Sequence, residues 1–347
     1  METVVELLRT LTALPGIPGR EEKVVDFLMK CGEAEPAKRW TDASGNAWVL
    51  GEGPDVPPVV FCAHMDEVGF RVKRIEADGR LSVVGHERLD LRTLASEVVQ
   101  VWTEGGPVDA FVYMGQQTNM PRDYASMVPD TLRLDLGVCD RASAEALGVG
   151  TGDPVVFDPG FRRLAGSVLC AKAFDDRSGL AAILKALAFS RGKRKQRPLL
   201  LGSVQEEIGG HGAGAVEFPE KPGAVIIVDI CGGEVYGLPE PDRRPILGRG
   251  PILHDGPTAS RGLIRRFETL ASEREIPVQH FAAAGRGADL SVLQKKSGGL
   301  PALGIILPMA FYHGPRGLID ASDVLNAGRL LAAALEDETF LERATKF

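Results

Sequence analysis

Short apolar runs that end in a carboxylate or a histidine constrain the fold of this chain more than any other feature of its sequence. The runs at 59–63, 199–205, 225–228 and 305–308 lead into His64 and Asp66, Glu206 and Glu207, Asp229, and His313. A further pair, Asp175 and Asp176, precedes an amphipathic helical pattern, which Asp176 can cap. Buried strands that alternate with helices predict an α/β fold, and open α/β sheets hold their ligands at the carboxyl ends of the strands.

Two kinds of pattern divide the chain. Helical patterns at 3–14, from about 21, 258–274, 287–296 and 320–338 accompany strand patterns at 58–63, 198–204, 224–228 and 303–307. Between about 68 and 161, hairpins around 77–79 and 104–107 indicate a small β-rich unit. We therefore expect one α/β domain made of residues 1–67 and 166–347, with a β-rich domain at 68–165 inserted into it.

The charge balance and the cysteines exclude some classes of protein. The 40 Lys and Arg residues are outnumbered by 47 Asp and Glu, giving a net charge of −7, which argues against a nucleic-acid partner. The basic run at 191–197 is interpreted as a solvated turn between a helix and a strand. No apolar run approaches the ~18 residues of a membrane span, and no signal peptide is recognisable. Five scattered cysteines favour a reducing cytoplasm.

The carboxylates and histidines that follow the strands predict a metal site. Each is unremarkable alone: a lone His is often structural, and an Asp pair before a helix often only caps it. Together, several buried carboxylates would repel one another unless a cation lay between them. Mixed nitrogen and oxygen ligands suit zinc, cobalt or manganese. The other histidines, His86, His211, His254 and His280, are interpreted as structural, although His211 follows closely after Glu207.

Several segments carry a resemblance to a known family. They are LPGIPGREE at 14–22, TDASGN at 41–46, HMDEVGF at 64–70, AFDDRSG at 173–179, VQEEIG at 204–209, GRGAD at 285–289 and HGP at 313–315. The order and spacing of these segments resemble those of the tetrahedral (TET) or glutamyl aminopeptidases, family forty-two of the metallopeptidases. Some members of this family carry a cellulase name. The resemblance implies a mixed-sheet, zinc-peptidase-like catalytic domain with an inserted β-rich dimerisation domain.

The resemblance also implies roles for the site residues. Asp175 would bridge two divalent metal ions, Zn²⁺ or Co²⁺ with Mn²⁺ possible, and the other ligands would be His64 and Asp229 at one ion and Glu207 and His313 at the second. Asp66 would hydrogen-bond the outer nitrogen of His64. Glu206 would be the general base that takes a proton from the attacking water.

The resemblance implies an aminopeptidase that removes N-terminal residues from short peptides, built of dimers that assemble into a tetrahedral dodecamer. The chain departs from the family at 115–121, where members usually carry Lys-Pro-Pro-His, and before His313, where an arginine is missing. The missing charge favours neutral or apolar first residues, unless Arg286 or Arg316 restores it.

Three alternatives remain open. A co-catalytic zinc deacylase or carboxypeptidase would keep the same site and act on other substrates. A glucanase would need two carboxylates beside a sugar-binding cleft, and the aromatic content of 6% offers few stacking platforms. A non-catalytic assembly protein is disfavoured because Glu206 and the five implied ligands are all present.

Overall fold

The structure, a computed structural model, describes residues 1–32, 36–85, 89, 91–94, 96–113, 132–233, 245–282 and 288–344. Its strands are β1 Pro36–Thr41, β2 Ala47–Gly51, β3 Val59–His64, β4 Phe70–Ile75, β5 Leu81–Gly85, β6 Val98–Thr103, β7 Gly106–Tyr113, β8 Arg133–Asp135, β9 Pro154–Phe157, β10 Arg162–Arg163, β11 Val168–Ala171, β12 Pro198–Ser203, β13 Ala224–Gly232, β14 Ile252–His254, β15 Gln279–Phe281, β16 Ala302–Met309 and β17 Gly317–Asp320. Its helices are α1 Glu2–Ala13, α2 Glu22–Lys30, α3 Arg141–Ala146, α4 Phe174–Phe189, α5 His211–Ala215, α6 Arg261–Glu273, α7 Ala288–Leu293, α8 Ala321–Glu336 and α9 Phe340–Ala344.

A mixed eight-stranded sheet forms the centre of the fold, in the order β1-β2-β12-β3-β13-β16-β14-β15. The four middle strands, from β12 to β16, are parallel, whereas β2 and β14 run antiparallel to their neighbours β12 and β16. Every residue of β3, β12 and β16 is buried. Such continuous apolar strands are typical of a parallel sheet covered on both faces, and the sequence predicted all of them.

Helices cover both faces of this sheet. Alternate residues of a strand point to opposite faces, and Phe61 and Val60 of β3 accordingly belong to two different apolar clusters. The cluster around Phe61 contains side chains of α1, α4, α6 and α8, and the cluster around Val60 contains side chains of α5 and α7. The sheet is therefore the middle layer of three. The helices cover its two faces and leave the carboxyl ends of the parallel strands free to carry a site.

A six-stranded closed barrel lies between Phe70 and Phe157, in the order β4-β5-β8-β7-β6-β9. It has an apolar core of its own, to which Val72, Leu81 and Val99 contribute. Both predicted hairpins are present, as the antiparallel pairs β4–β5 and β6–β7. Each of the six described strands of this small β-rich unit pairs with a neighbour on both sides.

A separate three-stranded sheet, β10-β11-β17, joins the segment after the barrel to the segment before α8.

None of the helices in the described part of the chain combines the length and the apolar character needed to cross a membrane.

Candidate metal centre

The parallel strands bring the predicted site residues to one edge of the sheet. His64 ends β3, and it pairs in register with Ser203, which ends the neighbouring strand β12. Glu206 and Glu207 follow β12 in the next turn, and Asp229 lies in β13 on the other side of β3. The carboxyl ends of parallel strands meet at the same edge, so these side chains converge although they are far apart in the sequence.

His64, Asp175 and Asp229 form the first of two groups able to hold a cation. One ligand atom from each lies within 4.8 Å of the others. The Nε2 atom of His64 is 3.0 Å from Oδ1 of Asp175 and 4.0 Å from Oδ1 of Asp229. The imidazole of His64 is only 3% exposed, so its direction is fixed by the surrounding core.

Asp175, Glu207 and His313 form the second group, again with one ligand atom from each within 4.8 Å of the others. The Nε2 atom of His313 is 3.3 Å from Oδ2 of Asp175 and 3.2 Å from Oε2 of Glu207. The ring of Tyr312 contacts the imidazole of His313 edge-on, with 4.9 Å between the ring centroids. Asp175 thus belongs to both groups and presents a different carboxylate oxygen to each histidine.

Asp175 occupies an irregular first turn of α4. Neither Asp175 nor Asp176 has helical dihedral angles, and the peptide bond between them is cis. Oδ1 of Asp176 accepts a hydrogen bond of 3.0 Å from the backbone of Gly179. This i to i+3 contact is the one made by a helix-capping residue, as the sequence predicted for Asp176, and Asp175 is left outside the regular helix beside the strand ends.

The charges of the two groups are coupled through Asp175. Burial acts to raise the pKa of Asp175, but hydrogen bonds from His313 and His64 outweigh burial and hold that pKa well below its usual value. Burial acts to lower the pKa of His313, but the contacts with Asp175 and Glu207 raise it to about 10. Burial, assisted by the charge of Asp175, raises the pKa of Glu207 to about 7, and burial raises the pKa of Asp229 well above its usual value.

These shifts show that the cluster has a deficit of positive charge. Three carboxylates and two imidazoles share a buried space: Asp175 stays ionised between the two histidines, whereas His64, His313, Glu207 and Asp229 all have raised pKa values and therefore favour their protonated forms. A divalent cation in each group would supply that positive charge instead. The donor atoms are imidazole nitrogens and carboxylate oxygens, which zinc, cobalt and manganese all accept. The residues therefore fit the metal ions that the sequence predicted.

Asp66 makes more contacts than the expected one with His64. The Nδ1 atom of His64 lies 3.1 Å from the backbone carbonyl of Asp66, and an Asp66 carboxylate oxygen is farther away, at 3.5 Å. Oδ1 and Oδ2 of that carboxylate instead accept the backbone N–H groups of Glu206 and Glu207, each at 3.0 Å. The main chain of Asp66 thus orients His64, and its side chain holds the turn that carries both glutamates.

Glu206 directly precedes Glu207 in the chain and belongs to neither of the two groups. Its side chain is half-buried. Burial acts to lower the pKa of His64, but the contacts with Asp175 and Asp66 and the charge of Glu206 raise it. Burial raises the pKa of Asp229, and the charge of Glu206 adds to that effect. Its backbone carbonyl accepts hydrogen bonds from Gly209 and Gly210 and closes the turn after β12. A carboxylate next to the candidate ligands, rather than among them, suits the predicted role of a general base.

Some supporting residues were not recognised from the sequence. Lys172 and Glu67 form a fully buried ion pair at 2.7 Å, which ties the segment before Asp175 to the segment after Asp66. The position of Glu67 directly after Asp66 was the available signal. Ser203 of β12 hydrogen-bonds the buried carboxylate of Asp289 on α7.

The remaining histidines lie outside both groups. His211 is exposed at the start of α5, and His280 is exposed near Glu268. His254 is buried at the end of β14 and, among the described residues, neither ring nitrogen has a hydrogen-bond partner. His86, Arg286 and the departure at 115–121 lie outside the described residues.

The fold and the site can be compared with those of known proteins. The lysyl aminopeptidase of Pyrococcus furiosus is 29% identical over 347 residues, covering 96% of each chain. The solved structure of an aminopeptidase from the archaeon Desulfurococcus kamchatkensis is 27% identical, with a TM-score of 0.92 over 100% of this chain and 98% of that one. The TET1 peptidase of Pyrococcus horikoshii, which can assemble into a tetrahedron or a large octahedral shell, is 26% identical, with a TM-score of 0.82 over 96% and 99% of the two chains.

A family model provides the assignment. The model of the M42 glutamyl aminopeptidases matches residues 45–330, a span that includes all seven predicted site residues. The chain therefore belongs to the M42 glutamyl aminopeptidase family and is a metal-dependent aminopeptidase.

Proposed function

We propose that His64, Asp229 and Asp175 hold one divalent metal ion and that Asp175, Glu207 and His313 hold a second one. The observation that carries this proposal is the placement of Asp175, whose Oδ1 is 3.0 Å from His64 and whose Oδ2 is 3.3 Å from His313. A carboxylate that presents one oxygen to each group is the arrangement expected of a bridging ligand. Two such ions would polarise the scissile carbonyl and lower the pKa of the attacking water.

Glu206 is the general base in this proposal. Its carboxylate would take the proton from the attacking water and return it to the leaving amine. Asp66 positions Glu206 through the two backbone hydrogen bonds at 3.0 Å. The carboxylates around the groups would also attract the free α-amine of a short peptide, which restricts cleavage to the first residue.

Replacing Asp66 with asparagine tests this positioning role. An asparagine side chain has one acceptor oxygen and an NH₂ group, so it can accept from only one of the N–H groups of Glu206 and Glu207. We expect kcat to fall about 10-fold to 100-fold, the usual range for a residue that orients metal ligands. Steady-state kinetics on a leucyl peptide measures the fall. The exposed Asp26→Asn variant is the control, and an unchanged kcat in Asp66→Asn would remove the positioning role.

We propose a preference for neutral or apolar first residues. Two exposed apolar side chains lie close in the chain to candidate ligands: Phe311, two residues before His313, is 71% exposed, and Ile208, next to Glu207, is 49% exposed. Arg316, a candidate for binding an acidic side chain, is hydrogen-bonded to Asp158, which directly follows the last strand of the barrel. Its guanidinium donates to the backbone carbonyl of Asp158 at 2.7 Å and to the Asp158 carboxylate at 3.2 Å.

The preference predicts at least tenfold higher kcat/KM, about 1.4 kcal/mol, for leucyl or methionyl peptides than for glutamyl peptides. Phe311→Arg should narrow that ratio because it places a cation two residues from His313. Phe189→Arg is the matched control, since Phe189 is 37% exposed at the opposite end of α4 from Asp175, about 20 Å away. A wild-type protein that prefers glutamyl peptides would contradict the proposal.

We also propose that residues 1–67 and 166–347 form the catalytic domain, that residues 68–165 form an inserted domain, and that dimers of the chain assemble into a tetrahedral dodecamer. The separate core of the barrel supports the division. The assembly is supported by the similarity to the Pyrococcus horikoshii TET1 peptidase, which forms a tetrahedron or a larger shell. Light scattering of the purified protein measures the mass directly.

A further inference from the structure

The N-terminal segment 15–21, between α1 and α2, has no part in the proposed chemistry, although it lies within one of the segments on which the family resemblance rests. The structure places it against the metal centre. The carbonyl of Gly16 accepts a hydrogen bond of 2.8 Å from the backbone of Glu67. Glu21, at the end of the segment, is only 4% exposed, whereas the next residue, Glu22, is exposed. A buried glutamate at the start of a surface helix calls for a specific partner.

That partner is the turn that carries Glu206 and Glu207. The four consecutive backbone N–H groups of residues 204–207 all donate to side chains of distant segments. In chain order the acceptors are Asn46 Oδ1 at 3.0 Å, Glu21 Oε1 at 3.1 Å, Asp66 Oδ1 at 3.0 Å and Asp66 Oδ2 at 3.0 Å. Three side chains, rather than a neighbouring strand, therefore accept the N–H groups of this turn. Glu21 accepts the N–H of Gln205, the residue directly before the proposed general base Glu206.

Glu21 acts at the position where the turn most needs support. Gln205 has a φ of +57°, in the left-handed region that residues with a side chain rarely occupy. The same Oε1 atom of Glu21 that accepts from Gln205 also accepts a 2.9 Å hydrogen bond from the backbone of Gly19. Gly19 itself has a φ of +76°, a backbone conformation that glycine adopts without the strain of a side chain. One carboxylate oxygen thus joins the two loops.

We propose that Glu21 is a positioning residue for the proposed general base: by accepting the N–H of Gln205, it holds the left-handed turn that directs Glu206 towards the metal centre. The inference rests on the proposed function of Glu206. Glu21 is a member of neither candidate metal group, and its contact with the turn is made through the backbone of Gln205. Its removal should therefore affect turnover more than substrate binding.

Three variants of the full-length, metal-loaded protein test the inference. Glu21→Met keeps most of the side-chain volume and removes the acceptor, Glu21→Gln keeps an acceptor oxygen without the charge, and Glu22→Gln is the exposed control. Steady-state kinetics with a leucyl peptide is combined with hydrogen exchange of the amides at 204–207. We expect Glu21→Met to lower kcat at least tenfold with KM within twofold, and to speed amide exchange at Gln205 and Glu206. The kcat of Glu21→Gln should stay within about threefold of the wild-type value, and the kcat of Glu22→Gln should equal the wild-type value.

Two results would overturn the inference: a Glu21→Met protein with kcat and amide exchange like those of wild type, or a Glu21→Gln protein as impaired as Glu21→Met. If Glu21→Met does not fold, the wild-type exchange and Glu21→Gln decide, because a rapidly exchanging Gln205 amide in the folded wild type contradicts the hydrogen bond. If the wild type cleaves no free-amine peptide, the proposed function fails, and amide exchange still shows whether Glu21 holds the turn.

Discussion

Replacing Glu206 with glutamine should lower kcat by about a hundredfold to ten-thousandfold, the usual contribution of a general acid–base group, while the metal content stays unchanged. The amide has nearly the shape of the carboxylate and cannot accept the proton of the attacking water. Glu206 belongs to neither candidate metal group, so its loss should spare metal binding. The measurement combines kcat on a leucyl peptide with metal analysis of the dialysed protein.

Glu217→Gln is the matched control, because Glu217 is exposed beyond α5 and the chemical change is the same. This control should retain both activity and metal. A Glu206→Gln protein with near-normal turnover would remove Glu206 from the role of base. A Glu206→Gln protein that loses its metal would show instead that Glu206 is a ligand.

Replacing Asp175 with asparagine should abolish activity and metal binding together. Asp175 is the shared member of both groups, and asparagine would offer one neutral oxygen in place of two charged ones. We expect more than a 100-fold loss of kcat, beyond the 10-fold to 100-fold that removal of an outer-shell partner causes. The metal bound per subunit, measured after dialysis, should fall markedly.

The control for this change is Asp255→Asn, at an exposed aspartate just after β14. It should keep the wild-type metal content. If Asp175→Asn retained the full metal content, the bridging arrangement would be wrong, even if activity were lost. This outcome differs from that of Glu206→Gln, for which retained metal is the expected result.

The centre of the sheet was predictable because its strands are buried on both faces. The strand patterns at 198–204 and 303–307 correspond to β12 at Pro198–Ser203 and β16 at Ala302–Met309. A short uninterrupted apolar run between helical segments is typical of a strand that is covered on both faces. The convergence of the carboxylates and histidines followed from the same reasoning, because parallel strands end at one edge.

The outer strands of the sheet, β1, β14 and β15, were not predicted. β1 has the sequence PAKRWT, and its residues Lys38 and Arg39 are outside the core. β14 and β15 have three residues each. Short or polar edge strands lack the alternation or the apolar run by which a strand is recognised, and their place in the sheet depends on neighbours that are distant in the sequence.

The hydrogen bonds that hold the site residues in place were also not predictable from the sequence. The carboxylate of Asp66 accepts from the backbone of Glu206 and Glu207, more than 130 residues away, rather than serving mainly the nearby His64. Glu21 likewise accepts from Gln205. Such contacts follow no periodic pattern, because they join loops whose meeting is decided by the tertiary fold. Residue types and positions therefore predicted a metal site, the family resemblance implied its ligands, and only the structure revealed what holds them.

One hydrolysis assay on chelated and reloaded protein tests the metal centre and the aminopeptidase activity together. The protein is stripped with chelator and reloaded with zinc, cobalt or manganese, and then given leucyl peptides with a free or an acetylated amino terminus. Our account predicts that chelation abolishes activity, that metal restores it, and that only the free-amine peptides are cleaved. Cleavage of the acetylated peptides would indicate the deacylase alternative, and activity indifferent to metal would contradict the proposed metal centre.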